Sequence, residues 1–141
     1  MARFLYRLSC AGLLGAQVFF AAVAARVAFQ AGLDRQAAGD LAGAMLQRLD
    51  SAALAICAIA VLCAVLLGRR RLAVPPLLAG FCALLSSMVI TPRIHALRVA
   101  GETRSPGFGR LHGVSAALLL LQIALLLVAV WLAPGSAERD G

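Results

Sequence analysis

Four long apolar runs constrain this chain more than anything else in it. They lie at about residues 4–29, 41–67, 72–98 and 108–132. Roughly 20 apolar residues in a helix cross the hydrocarbon core of a bilayer, and each run is at least that long. A segment in lipid must satisfy its backbone hydrogen bonds within itself, so each run is a helix. The pattern predicts an all-α integral membrane four-helix bundle with antiparallel, up-and-down topology. Its 141 residues leave no room for a soluble domain, only a short polar tail over 133–141. Composition agrees: 13% of residues are charged, about half the share in soluble domains.

The N-terminal stretch MARFLYRLSCAGLLGAQVFFAAVAAR has the basic start and small-residue triplet of a signal peptide. Its apolar part is longer than a signal core, and it is read as the first membrane helix. Gln30 to Asp40 is a polar connector, with Asp40 placed to cap the second helix. Arg69-Arg70-Arg71 makes a tight turn between helices two and three. Pro75 and Pro76 are expected in the first turn of helix three, where proline is tolerated. Pro134-Gly135 is expected to end the fourth helix.

Net charge is +7, all of the basic residues are arginine, and no basic stripe with interleaved aromatics is present. Nucleic acid is therefore excluded as a partner, whereas arginines at span ends suit anionic lipid headgroups. The compact triplet with Arg3 and Arg7, and the acids Asp34, Asp40, Asp50 and Glu102 opposite, favour both termini in the cytoplasm of a bacterial cell. Cys10, Cys57, Cys63 and Cys82 fall inside apolar runs and act as small apolar residues, not as disulfides. Gly12 and Ala16 form a small-residue face suited to close helix packing, and Gln17 and Gln122 are placed for an interhelical hydrogen bond.

Polar chemistry gathers at one end. The stretch TPRIHALRVAGETRSPGFGRLHGVS, Thr91 to Ser115, holds both histidines and four arginines between two apolar runs. An up-and-down path brings it beside Arg26, Arg48 and Asp50. Ser87, Thr91, His95 and Arg98 follow steps that share one face of helix three, and Phe108, His112, Ser115 and Gln122 do so on helix four. The candidate cluster is His112, Ser115, Pro92, Phe108, His95, Thr91, Asp50, Arg26 and Arg93. Asp50 is the natural anionic partner for Arg26, Arg48 or a histidine. No phosphate loop, catalytic triad or paired-carboxylate motif is present, so no enzymatic activity and no cofactor are expected.

The segments GAQVFFAAVAARVAF, AMLQRLDSAAL, TPRIHALR and FGRLHGVS together resemble the transmembrane-protein-205-like family, a family of unknown function with four membrane helices. The resemblance covers nearly the whole chain and implies Pro92, Phe108, His112 and Ser115 as signature positions. It carries no settled reaction, although eukaryotic members have been linked to drug and metal-drug tolerance and to vesicle trafficking. Arg26 stands where that family's pattern places a proline near the end of helix one. Three functions stay open: a bundle binding or helping to move a small polar ligand or ion, a haem or metal protein using His95 and His112, and an accessory subunit of a membrane complex. A homo-oligomer or a membrane-protein partner fits the first and third.

Overall fold

The computed structural model describes residues 1–30, 32 and 34–133. The chain runs as α1 (Ala2–Phe19), a π turn (Phe20–Ala24), α2 (Ala25–Gln30), α3 (Arg35–Leu66), α4 (Arg70–Leu85), a second π turn (Ser86–Ile90), α5 (Thr91–Val99) and α6 (Pro106–Leu132). The π turns are continuous with the helices around them. Among the described residues there are thus four helical spans long and apolar enough to cross a membrane: Ala2–Gln30, Gln36–Leu66, Arg70–Val99 and Pro106–Leu132.

α3 packs extensively against α1 and α4, and α6 packs against the same two. The cross-section is a ring in which α3 and α6 stand diagonally, as do α1 and α4. Polar contacts fix how the ends meet. Tyr6 reaches Leu72, Arg7 reaches Ala133, and Asp40 reaches Arg98. One end of the bundle therefore collects the starts of α1 and α4 with the end of α6. The other collects α2, the start of α3, α5 and the start of α6, as an antiparallel bundle requires.

The connectors follow from local chemistry. Gly68 has φ +66° and Gly101 φ +74°, left-handed conformations that glycine adopts without steric cost. Each closes a helix with a six-to-one hydrogen bond, Arg69 N–H to Ala64 O at 3.1 Å and Glu102 N–H to Leu97 O at 2.9 Å. The Ser105 hydroxyl accepts from Phe108 N–H at 3.2 Å and caps α6, with Pro106 in the first helical position.

Several expectations are corrected. α3 starts at Arg35, six residues before residue 41, because Asp34 is the cap: its Oδ1 accepts from Ala37 N–H at 2.8 Å. Pro75 and Pro76 lie beyond the first turn of α4, where Pro76 leaves the Leu72 carbonyl without its helical donor. The buried Tyr6 hydroxyl donates to that carbonyl at 2.8 Å. Gly12 and Ala16 are exposed, and nothing lies within 4 Å of where a Gly12 Cβ would stand. The close approach is at Gly80, whose Cβ would sit 3.2 Å from Cys57 Cβ. Pro134-Gly135 lies outside the described residues.

The apolar core is one-sided. Tyr6, Cys10, Leu13, Ala53, Cys57, Ala60, Leu72, Ala79 and Leu126 form it with their neighbours. All of them lie on the Tyr6–Leu72 side of the mid-span positions. All four cysteines are buried free thiols.

Candidate functional site

At the other end the spans part around a cavity of about 910 Å³, within the range of small-molecule sites. Its walls come from the first π turn and α2, the start of α3, α5 and the start of α6. Thr91, Pro92, His95, His112 and Ser115 all line it, so the structure brings five of the sequence-selected residues together. Pro92 stands two residues after the second π turn, whose closing bond runs from Thr91 N–H to Ser86 O. A proline removes one helical donor, and a wider turn ahead of it accommodates that loss. The first span carries a similar π turn at Phe20–Ala24 with no proline.

The mouth is organised around Arg98. Its Nη1 donates to Asp40 Oδ1 at 2.9 Å. Its Cζ stands 6.0 Å from the centre of the Phe108 ring, at the limit of a cation–π contact. Phe108 in turn stacks on His112, with ring centres 6.2 Å apart and planes 3° from parallel. Gly39 and Gly43, one turn apart on α3, make room for the guanidinium. A Cβ at Gly39 would be 3.3 Å from Arg98 Nη2, and one at Gly43 would be 3.4 Å from Nη1. Phe108 thus packs across the mouth while His112 and Ser115 turn into the cavity.

Arg26 and Arg93 are exposed and stand outside the cavity lining. Asp50 is also not where the sequence placed it. It neither pairs with Arg26, Arg48 or a histidine nor lines the cavity; it is 1% exposed. The early start of α3 is the cause, because it puts Asp50 halfway along a 32-residue helix instead of near its mouth. There it interacts with Ser86 and Gln122, and Gln122 Oε1 accepts from Gln17 Nε2 at 2.7 Å. Gln17, Asp50, Ser86 and Gln122 are each at most 2% exposed, one from every span and each near its middle. They form a buried polar layer between the apolar core and the cavity.

Sequence reasoning missed Asp40, Gly39 and Gly43 as parts of the mouth and Ser86 as part of the layer. The segment GDLAG signals the first group, with its acid flanked by glycines at one-turn spacing. The second is visible as polar side chains at matching depth in each apolar run: Gln17, Asp50-Ser51, Ser86-Ser87 and Gln122. His95 and His112 share the cavity wall, but among the described residues no group of three or more His, Cys, Asp or Glu side chains is gathered to hold a metal ion.

This architecture defines a multi-pass membrane protein, closed at one end by an apolar core and open at the other around a polar-edged cavity. The family model described as Domain of unknown function (DUF4149) matches residues 8–103, and the chain belongs to that family. The matched stretch holds the first three spans and stops short of Phe108, His112 and Ser115. No curated protein and no solved structure matches the chain.

Proposed function

We propose that the protein binds, or helps to move, a small polar ligand or ion through the cavity at the polar end of the bundle, without catalysing a reaction. The observation that carries this reading is the cavity itself. About 910 Å³ lies open between four membrane spans where a packed core would be more stable. The Arg98–Asp40 pair, His95, His112, Thr91 and Ser115 are aimed at that space. Apolar walls with a few convergent polar groups are what a ligand site requires. The likeness of TPRIHALR and FGRLHGVS to the transmembrane-protein-205-like family supports the same reading, since its eukaryotic members are linked to tolerance and trafficking. We place the protein in a bacterial inner membrane with both termini cytoplasmic, so that the cavity opens to the opposite side. Movement across the membrane would use a homo-oligomer or a partner protein, because the core closes the far end of this bundle.

The test is a thermal-shift screen of the purified protein against inorganic ions, amino acids and small organic cations and anions, beside His112→Ala. A ligand class that raises the unfolding temperature of the wild type and not of the variant is the expected result. Identical responses from both proteins across the whole panel would sink the cavity as a binding site. A visible absorption spectrum on the same samples tests the haem or metal reading, which needs a band or bound metal lost with His112. An accessory-subunit reading draws on a separate observation, the exposed small-residue face of Gly12, Gly15 and Ala16 on α1. Co-purification of a stoichiometric membrane partner, lost on Gly12→Leu, is its distinguishing result.

A further inference from the structure

Deeper than the cavity, the polar layer is chemically unfinished. Asp50 is buried at mid-span, yet among the described residues neither of its carboxyl oxygens has a hydrogen-bond partner within bonding geometry, although Ser86 and Gln122 stand close enough to interact. Gln17 Oε1 is buried without a partner as well. All three unanswered atoms are acceptors, so the missing component is a donor or a cation, not an anion or an apolar group.

Among the described residues no charge in the surrounding elements answers Asp50. From α1 the layer contains the Gln17 amide, with the Cys10 thiol two turns further into the core. From the α4 side it contains the Ser86 hydroxyl, with the Cys82 thiol one turn further, and from α6 the Gln122 amide. On α3 itself Cys57 is buried two turns towards the core, and Arg48 is exposed. His95, Arg98, Asp40 and His112 line the cavity above. An ionisable side chain in a membrane span is costly unless something partners it, and the shortfall here is one positive charge.

We propose that Asp50, with Gln17, Ser86 and Gln122, forms a mid-membrane binding site for one monovalent cation, a sodium ion or a proton, reached from the cavity. The donor set is oxygen only, which suits hard cations and not thiophilic metals. The route is short. Phe20, Leu46 and Leu119 line the inner end of the cavity, and each stands one helical turn from Gln17, Asp50 or Gln122 respectively. A single apolar shell thus separates open space from the carboxyl. The helical hydrogen-bond register also widens at this depth: one π turn begins at Ser86 and the other three residues after Gln17. Such π turns recur at functional sites. The site lies below the cavity and does not depend on what the cavity holds. A failure of every ligand in the His112→Ala comparison therefore leaves it standing.

The experiment uses the full chain in lipid nanodiscs, wild type and Asp50→Asn. Unfolding temperature is followed in sodium chloride against choline chloride at equal ionic strength. The carboxyl region of the infrared spectrum is followed against pH in sodium-free buffer. A sodium-dependent rise of several degrees that vanishes in Asp50→Asn identifies a sodium site. A protonated-carboxyl band absent from Asp50→Asn, with no response to sodium, identifies a proton site holding about one proton per chain. A wild type that shows neither the sodium shift nor the band overturns the proposal, and so does a response that persists in Asp50→Asn. Should Asp50→Asn fail to fold, Ser86→Ala takes its place: a weakened sodium shift or a displaced carboxyl band supports the site, and no change in either overturns it.

Discussion

Tyr6 offers the sharpest test of how this bundle is held together. Pro76 takes the backbone donor from the Leu72 carbonyl, and the Tyr6 hydroxyl replaces it across the bundle at 2.8 Å. Tyr6→Phe removes that donor and almost nothing else, since the ring and its packing remain. Hydrogen bonds between membrane helices are worth on average about 0.6 kcal/mol and up to about 1.7 kcal/mol. A buried acceptor left unanswered costs about 1–3 kcal/mol. Leu72 is 6% exposed, so little solvent reaches its carbonyl to compensate, and the expected loss is about 1–2 kcal/mol. In a Pro76→Ala background the backbone N–H returns to the helix and serves Leu72, so the same Tyr6→Phe change should cost about 0.5 kcal/mol or less. A double-mutant cycle from reversible unfolding in mixed micelles measures the difference. If Tyr6→Phe costs the same in both backgrounds, within about 0.3 kcal/mol, the carbonyl was never the hydroxyl's purpose and the argument fails.

Gly80→Ala places a Cβ 3.2 Å from Cys57 Cβ between α3 and α4, and we expect a loss of about 1–3 kcal/mol in the same unfolding assay. Gly12→Ala meets nothing within 4 Å, so it should be neutral or stabilising by up to about 1 kcal/mol; equal losses at both glycines would refute this packing. Arg98→Ala breaks the pair with Asp40, whose side chain is 52% exposed. That contact lies in water's reach, so stability should fall by less than about 1 kcal/mol, while ligand-induced shifts assigned to the cavity should shrink.

The spans, their number and the polar end were legible because hydrophobic length, the four-residue step from Thr91 to His95 and the three-residue step from His112 to Ser115 are direct consequences of helix geometry. What was not legible turned on start positions. Asp34 and Asp40 are both plausible caps six residues apart, and choosing Asp40 moved the span boundary enough to misplace Asp50 by half a membrane leaflet. The choice of Arg98 over Arg26 and Arg93 as the organising cation depends on facing glycines in another helix, which only the packed bundle reveals. Gln17 and Gln122 were matched correctly as partners, and their bond is 2.7 Å long. Their joining Asp50 and Ser86 followed only once the depth of α3 was known.

The two π turns fall on the spans that begin with α1 and α4, which stand diagonally, whereas α3 and α6 run unbroken through 32 and 27 residues. The bundle is therefore built like a frame with two continuous posts and two jointed ones, one joint starting within the Gln17–Asp50–Ser86–Gln122 layer at Ser86 and the other just above it. Below the joints every post is clamped by the apolar core; above them the jointed pair borders open space. Bending at such a joint disturbs few buried contacts. Changes that reshape the upper chamber can thus accumulate without loosening the clamp.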